Sequence, residues 1–409
     1  MTLTSDDNTE TTSVATPNHA HAEAAWPAKR LTVLQVLPAL GGQGGVERGA
    51  VDVAAAIQHA GGRAIVVSAG GPLVHALSRA GAEHVELPVD SKNIWTIRRN
   101  IGRLLEIIRR EDVDIVHARS RAPAWSAWPA ARRAGTAFVT TVHGFYGTGP
   151  WLKNRYNEVM TRGDLVIAIS RFIAGHIRQV YGLPASRIRV IHRGVDVERF
   201  NPQRISADRM VSLARKWRLD TGRPVVMLPG RLSRWKGQVT FLDSIAKLQR
   251  RDLTCVVLGS DQGRERYRKE LEDLIHRHDL GGVVRLVDHC DDMPAAYMLS
   301  DLVVSASIEP EAFGRVLAEA QAVGRSVIGT DHGGARETVI PDVSGWLVPP
   351  GDSKALAAAI DRGLALTPAA RQRMADAAIS NVRGEFTKET MCARTLAVYD
   401  EVLRAKAGR

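Results

Sequence analysis

The feature of this sequence that most constrains its fold is a series of short apolar runs separated by helical patterns. In the first half, the helical patterns include Val46–Ala60 and an amphipathic segment at Asn93–Arg110. The apolar runs predict strands at Leu31–Pro38, Arg63–Ser68, Val113–Ala118, Ala137–Val142 and Asp164–Ile169. Strands that alternate with helices in this way form a parallel sheet that is covered by helices on both faces.

The same alternation begins again in the second half, with predicted helices at Gln238–Gln249 and Tyr267–Arg277. The predicted strands there are Pro224–Pro229, Leu253–Gly259, Val283–Val287, Leu302–Ala306 and Ser326–Thr330. The polar segment Asp196–Arg223 is the expected connection between the two series. The sequence therefore predicts an α/β protein of two Rossmann-like domains, residues 29–200 and 201–385, that face each other across a cleft. A final helix within 386–409 is expected to pack back on the first domain.

Several classes of protein are excluded by composition. Residues 1–28 are polar and lack apolar periodicity, which predicts a disordered tail and no secretory signal. No apolar run approaches the roughly 18 residues that cross a bilayer. The three cysteines are far apart and odd in number, which argues against a disulfide framework or a clustered zinc site. We therefore expect a cytoplasmic protein.

The net charge of +11 is concentrated in the first predicted domain, where residues 29–200 hold 24 Lys and Arg against 13 Asp and Glu. Such a surplus favours an anionic partner, either a nucleic acid, a phosphorylated substrate or an acidic lipid surface. Aromatic residues make up 5% of the chain and no nucleic-acid-binding module is present, so nucleic acid is the least favoured of the three.

Charged side chains follow predicted strands in the second half. Arg231 and Lys236 lie between a strand and a helix, where two cations can bind a diphosphate without a metal ion. Glu311 and Glu319 lie near the start of a later helix, and their carboxylates suit the hydroxyls of a hexose and a ribose. The glycine-rich turn at 41–45 can present backbone amides to an anion, although it does not match the Gly-x-Gly-x-x-Gly dinucleotide motif.

Taken as a set, these motifs resemble retaining, nucleotide-sugar-dependent glycosyltransferases of family 4. In the second half the resemblance rests on Gly230-Arg231 with Lys236-Gly237, on Glu311-Ala-Phe-Gly and on Glu319-Ala. The matching pieces of the first half are Gly44-Gly45-Val46-Glu47, His143-Gly144 and Gly194-Val195-Asp196. Two further runs, Glu309–Arg315 and Asp331–Glu337, resemble the lipopolysaccharide-core type of this family.

The resemblance implies a GT-B fold and specific roles in binding the donor. Arg231 and Lys236 would bind the diphosphate, Glu319 would bind the ribose, and Glu311 would either orient the sugar, which we favour, or act as a nucleophile. His143 would contact the transferred sugar. The remaining expected donor contacts are Gly44, Gly45, Phe313, Gly314, Gly333 and Gly334.

The expected reaction is transfer of a hexose from a GDP- or UDP-linked sugar, with no cofactor and no metal, to an acidic envelope glycolipid such as a lipopolysaccharide core precursor. This would occur at the cytoplasmic face of the inner membrane. There, the basic face of the helix at 93–110 can meet anionic lipid, together with Trp95 or the loop tryptophans Trp125, Trp128 and Trp151. A sugar-nucleotide epimerase or a phosphorylase with the same fold is the alternative.

Other polar groups are weaker candidates. We interpret the acidic residues of Asp112-Val-Asp114 and Asp288–Asp292 as turn or capping residues. Metal binding is the less favoured alternative for both motifs. His117 and Arg119 end a predicted strand, where a buried histidine is the more common outcome. Arg171 and Arg193 are candidates for contacting donor or acceptor phosphates.

Overall fold

The computed structural model describes residues 30–41, 45–146, 151–220, 222–248 and 250–408. The tail predicted at 1–28 and the candidate donor contact Gly44 lie outside these residues. Within them, the chain forms two separate parallel sheets, one in each half of the sequence. No helix in the described ranges is both long and apolar enough to cross a membrane.

The first sheet has seven strands in the described part, all of them parallel, in the order β3-β2-β1-β4-β5-β6-β7. In chain order β1 to β7 are Thr32–Val36, Arg63–Ser68, Glu83–Glu86, Ile115–Ala118, Ala137–Val142, Leu165–Ala168 and Ile188–Val190. Helices α1 to α6 are Gly45–His59, Val74–Arg79, Ile94–Arg110, Arg121–Ala134, Trp151–Glu158 and Arg171–Tyr181.

The second sheet has six parallel strands in the described part, in the order β10-β9-β8-β11-β12-β13. Strands β8 to β13 are Val225–Pro229, Thr254–Leu258, Val284–Val287, Leu302–Ser305, Ser326–Thr330 and Gly345–Val348. Helices α7 to α15 are Ala207–Trp217, Gln238–Lys247, Glu265–Arg277, Met293–Leu299, Arg315–Ala322, Ala335–Thr338, Ser353–Leu364, Pro368–Glu385 and Lys388–Ala407. The expectation of two Rossmann-like domains is confirmed.

Three strands that the apolar runs did not predict lie at sheet edges. Strand β3 has the sequence Glu-His-Val-Glu with both glutamates exposed, and β7 has three residues with Arg189 in the middle. Strand β13 is apolar, but it is four residues long and pairs on one side. Polar residues interrupt the apolar run in β3 and β7, and the four residues of β13 are too few to form a clear one.

The chain crosses between the domains at two neighbouring points. The backbone N–H of Val195 donates to the carbonyl of Phe386 (2.7 Å), and that of Lys388 donates to the carbonyl of Val195 (2.9 Å). After the first crossing comes α7, which lies within the predicted connection and packs against α10 of the second domain. After the second crossing, α15 packs on α1 and β5 of the first domain.

One buried polar contact attaches α15 to the first sheet. The hydroxyl of Tyr399 lies 2.7 Å from Nδ1 of His117, and Oγ1 of Thr141 lies 2.7 Å from Nε2 of the same ring. Burial lowers the pKa of His117 well below its ordinary value, with a smaller contribution from the charge of Arg119. His117 is therefore a neutral core residue, which confirms the preferred interpretation of this strand-end histidine.

We expect Tyr399→Phe to lower the free energy of unfolding by about 1–3 kcal/mol, because it leaves a buried ring nitrogen of His117 without its partner. Urea unfolding of the full chain measures this loss. Tyr156→Phe, which removes a hydroxyl from a half-buried residue of α5, is the matched control and should change stability by less than about 0.5 kcal/mol. Equal effects of the two substitutions would contradict this account of α15.

Candidate active site

A cavity of about 380 Å³ lies between the two domains. Its first-domain wall includes Arg48 on α1 and Arg199 beside the chain crossing. Its second-domain wall includes Arg231 directly after β8, Gly259 directly after β9 and Glu319 on α11. The carboxyl ends of parallel strands are the usual place for ligands in open α/β sheets. This cavity is therefore the candidate active site.

Lys236 and Glu311, predicted to act on the same ligand, are in direct contact. Nζ of Lys236 lies 2.8 Å from Oε1 of Glu311, and both side chains are largely buried. Lys236 ends a 3-10 turn, and Gly237 follows it with φ +73°. A Cβ at Gly237 would lie 1.8 Å from the carbonyl oxygen of Ala306, so that only glycine permits this close approach to the end of β11.

Two serines that the sequence analysis did not select complete the surroundings of Glu311. The hydroxyls of Ser305 and Ser307 donate to Oε1 of Glu311 at 2.9 and 2.6 Å. Burial raises the pKa of Glu311, but the charge and hydrogen bond of Lys236 and the two serine bonds outweigh burial and lower it. Glu311 is thus an ionised carboxylate in a fixed orientation. The run Ser305-Ala306-Ser307 at the end of β11 is the sequence signal from which these two hydroxyl donors could have been predicted.

Gly333 and Gly334 support the segment that carries Glu311. The N–H of Gly334 donates to the carbonyl of Glu311 at 2.7 Å. A Cβ on Gly333 would lie 2.5 Å from that carbonyl oxygen, and one on Gly334 would lie 2.3 Å from Cα of Phe313. The structure therefore gives these two glycines a packing role beneath the site. Direct contact with a donor, which the resemblance implies, stays a prediction.

Glu319 is buried on α11 and already has two partners. Its Oε1 lies 2.9 Å from Nε of Arg315, and its Oε2 accepts a hydrogen bond of 3.0 Å from the hydroxyl of Tyr297. Burial and the charge of Glu319 raise the pKa of Tyr297 well above its ordinary value, so the phenol stays protonated as a donor. These contacts fix the carboxylate at the cavity wall, where the resemblance places the ribose.

Phe313 and Gly314 lie just before α11, at the contact between the domains. The Phe313 side chain is buried against the rings of His192 and Phe386, with centroid distances of 6.1 and 5.6 Å. Gly314 is the N-cap of α11 with φ +83°, a conformation that favours glycine. The side chain of Phe313 is therefore a packing group, and a donor contact would have to use the backbone at these positions.

His143 directly follows β5 on the first-domain side. Its Nδ1 lies 3.5 Å from Nη1 of Arg193, and its buried Nε2 has no partner among the described residues. Burial, followed by the charges of Arg193 and Arg119, lowers the pKa of His143 well below its ordinary value. A neutral imidazole with one unused nitrogen suits a hydroxyl ligand. Gly45, the first residue of α1, lies close to Arg193 as well.

Two family models match this chain over most of its length. Glycosyltransferase Family 4 matches residues 43–199, and Glycosyl transferases group 1 matches residues 212–381. The boundary between the two matches falls in the connection that precedes the second sheet.

Several known proteins with the same arrangement are glycosyltransferases. A crystal structure of a glycosyltransferase from Rickettsia africae is 34% identical, with a TM-score of 0.85, and the match covers 91% of this chain and 99% of that one. This chain belongs to glycosyltransferase family 4. The Anabaena protein HepE, solved with UDP-glucose, is 25% identical with a TM-score of 0.78 over 90% of this chain and 100% of its own. A D-inositol 3-phosphate glycosyltransferase of Xylanimonas cellulosilytica is 29% identical over 72% of this chain and 74% of its own length.

The glycosyltransferase has a GT-B fold, and a buried carboxylate joins its two domains. Glu337 on α12 accepts hydrogen bonds of 2.8 Å from the backbone N–H groups of Arg171 and Phe172, which begin α6 in the first domain. It also lies 2.8 Å from Nε2 of His192. The sequence predicts a phosphate contact for Arg171 and gives no indication of this bond from its backbone N–H to Glu337. The partial positive charge of a helix N-terminus stabilises an anion in this position.

The weaker acidic motifs of the glycosyltransferase have structural roles. Oδ2 of Asp114 accepts from the N–H of Thr32, and Asp112 has φ +46° in the preceding turn. Asp292 caps α10 and pairs with Arg209 at 2.5 Å. No group of three or more metal-binding side chains occurs in the part of the chain that the structure describes.

We expect Glu337→Gln to lower the free energy of unfolding of the glycosyltransferase by about 1.5–3 kcal/mol at neutral pH, since hydrogen bonds to a charged acceptor are lost. Hydrogen bonds from His192, Arg171 and Phe172 outweigh burial and lower the pKa of Glu337 below its ordinary 4.5. The stabilisation is therefore present above pH 4.5 and is lost as the pH falls through the lower folded-state value.

Urea unfolding of both proteins from neutral pH to about pH 4 measures this difference. The exposed Glu106→Gln is the matched control, and it should show little difference from the wild-type protein at any pH. A stability difference between Glu337→Gln and wild type that does not shrink in acid would contradict the assigned role.

Proposed function

We propose that this glycosyltransferase transfers a hexose, with retention of configuration, from a UDP- or GDP-linked sugar to an acidic envelope glycolipid. The observation that carries the donor part is the position of Arg231 and Glu319 on the wall of one interdomain cavity, with the ion pair of Lys236 and Glu311 next to Gly230 of the same wall. Two of these are cations suited to a diphosphate, and two are fixed carboxylates suited to sugar hydroxyls. The similarity to HepE, which was solved with UDP-glucose, supports a nucleotide sugar as the donor.

The proposed chemistry depends on charge that develops at the bond to phosphate. As the glycosyl–phosphate bond breaks, the sugar becomes positive and the departing diphosphate becomes more negative. Lys236 and Arg231 lower the barrier because they are in place before the charge develops. Glu311, held on Oε1 by three donors, orients the sugar hydroxyls. The departing phosphate accepts the proton of the acceptor hydroxyl, and no metal ion is required.

We expect Lys236→Met to reduce kcat for sugar transfer or donor hydrolysis by about 10²–10³-fold, because a preorganised cation beside the leaving group is lost. The control is Lys269→Met, which removes an exposed lysine of α9 away from the cleft. Activity should be unchanged by chelator in the wild-type protein. Activity that disappears with EDTA and returns with Mg²⁺ would contradict the metal-independent mechanism.

Nucleotide binding is tested separately by thermal shift with UDP, GDP and their hexose conjugates. A ligand at 100 times its dissociation constant adds about 2.7 kcal/mol of stability. Glu319→Gln should weaken binding of the preferred nucleotide. A carboxylate can accept hydrogen bonds from ribose hydroxyls on both of its oxygens, whereas the amide nitrogen of glutamine cannot accept one. Absence of a shift with every nucleotide would contradict the donor assignment.

The proposed acceptor follows from the surface of the first domain. Exposed arginines of α3 are at positions 98, 99, 103, 109 and 110. Ile94 and Trp95 at the start of α3 are 68% and 76% exposed, and Trp151 and Leu152 at the start of α5 are 71% and 70% exposed. Both helices lie next to α4. Helix α3 packs directly on α4, and the ring of Tyr156 on α5 stacks on the ring of Trp125 on α4. Aromatic tips beside arginines suit the cytoplasmic face of an anionic membrane.

We expect the full chain to sediment with vesicles of phosphatidylglycerol and phosphatidylcholine but not with phosphatidylcholine alone, and to be released as salt rises. Trp95→Ser combined with Trp151→Ser should reduce binding about tenfold or more, since two large apolar groups no longer enter the interface. Ile340→Ser, which removes an exposed apolar residue of the second domain, is the control. Equal binding by all three proteins would contradict a membrane contact at α3 and α5.

A further inference from the structure

Arg193 is a buried cation that the proposed mechanism does not use. It lies just after β7 and is 8% exposed. Within the described residues, its side-chain hydrogen bond is the long contact of 3.5 Å between Nη1 and Nδ1 of His143. Burial, followed by the charges of Arg119 and Arg315, lowers the pKa of Arg193 to about 9. A guanidinium in such surroundings carries several N–H donors that suit an anion.

Arg193 meets a second arginine, from the other domain, at the first turn of α1. A Cβ built on Gly45 would lie 3.1 Å from Nη2 of Arg193 and 3.1 Å from Nη1 of Arg315. Arg315 begins α11 in the second domain, so the two guanidinium groups approach this point from opposite sides of the cleft. A Cβ on Gly49 would lie 2.8 Å from Arg193, so glycine at that position leaves room for the arginine.

Positively charged side chains outnumber negatively charged ones around Arg193. A second interdomain cavity, of about 260 Å³, is lined by Arg193, Arg315, Arg48 and Arg199 together with three acidic residues. Two of those acids have their own partners, since Asp196 pairs with Lys388 at 3.1 Å, and Glu319 pairs with Arg315 of the same cavity and accepts from Tyr297. The cavity adjoins the candidate donor site, with which it shares Arg48, Arg199, Arg315 and Glu319.

We propose that Arg193 is a further catalytic residue, which binds the departing phosphate of the nucleotide sugar from the first-domain side, opposite Arg231 and Lys236. This proposal rests on the proposed donor site. An anion bound by Arg193 and Arg315 would lie between the two domains. The diphosphate of a donor in the proposed site would occupy the same position between the domains. Gly45, the first residue of α1, lines the same cavity, and the start of a helix favours the same charge.

The step that Arg193 assists is the cleavage of the bond between the anomeric carbon and the phosphate oxygen. The electron pair of that bond remains on the phosphate, and the acceptor oxygen forms the new bond to the anomeric carbon. The proton of the acceptor hydroxyl passes to the departing phosphate, so that the products are the glycoside and the nucleoside diphosphate. Arg193 donates hydrogen bonds to phosphate oxygens whose negative charge increases during the step.

The test uses the full chain with Arg193→Gln and Arg193→Lys, and Arg178→Gln, at an exposed position of α6, as the matched control. We measure hydrolysis of UDP-glucose and GDP-mannose with water as acceptor, and the affinities for UDP, UMP, GDP and GMP. We expect Arg193→Gln to reduce kcat for the preferred donor by about 10²–10³-fold, by analogy with the loss of an oxyanion-hole donor. Arg193→Lys should recover part of that loss.

The nucleotide series identifies the group that Arg193 contacts. Arg193→Gln should weaken the preferred nucleoside diphosphate by about tenfold and leave the corresponding monophosphate unchanged, because the monophosphate lacks the terminal phosphate. Unchanged hydrolysis and unchanged diphosphate affinity would overturn the proposal and assign the cation to an acidic acceptor group. Equal loss of monophosphate and diphosphate affinity would overturn it as well, since a general disturbance of the cleft would then be responsible.

Thermal stability without ligand separates a catalytic role from a structural one. Replacing a buried cation that forms no ion pair within the described residues should leave the melting temperature unchanged or raise it. A melting temperature several degrees lower in Arg193→Gln, with the loss of activity explained by unfolding, would overturn the catalytic assignment. If wild-type protein binds no nucleoside diphosphate, the proposed donor site fails together with this one, whereas normal binding with an unaffected variant overturns Arg193 alone.

Discussion

The contact between Glu337 and the start of α6 is the interaction on which the geometry of the cleft depends. Each sheet can form within its own domain, but neither sheet alone contains a complete site. Glu337 provides a fixed acceptor for two backbone N–H groups of the other domain and for His192. His192 is the immediate neighbour of Arg193, so the same contact that joins the domains also fixes the backbone beside this cation.

The polar groups of the second domain are ordered before any ligand binds. Lys236, Ser305 and Ser307 converge on a single oxygen of Glu311, and Arg315 and Tyr297 hold the two oxygens of Glu319. Charges that are fixed in advance need little reorganisation during a reaction. The first domain contributes a contrasting group, Arg193, which forms no ion pair with a carboxylate in the part of the chain that the structure describes, although the charges of Asp52 and Glu47 act on it.

The sequence motifs predicted most of the second-domain candidate residues because these residues follow the ends of predicted strands. Lys236 and Glu311 could be predicted to act on the same ligand because the family that the sequence resembles has both motifs at this spacing. Tyr297 and Arg315 were not predicted as partners of Glu319, because neither their spacing nor their residue types indicate which side chain they meet. The short strands β3 and β7 were missed for a local reason, since polar residues within them obscure the apolar pattern.

By itself, the sequence determined the fold class, the number of domains and the residues placed at the carboxyl ends of the strands. These properties depend on local periodicity and on the position of a residue within its own element. Only the tertiary structure decided that Arg193 meets Arg315 and that Glu337 caps α6. Those contacts join residues more than 100 positions apart, and they depend on the angle and separation of two sheets, which are set by packing at the chain crossings near Val195 and Thr387.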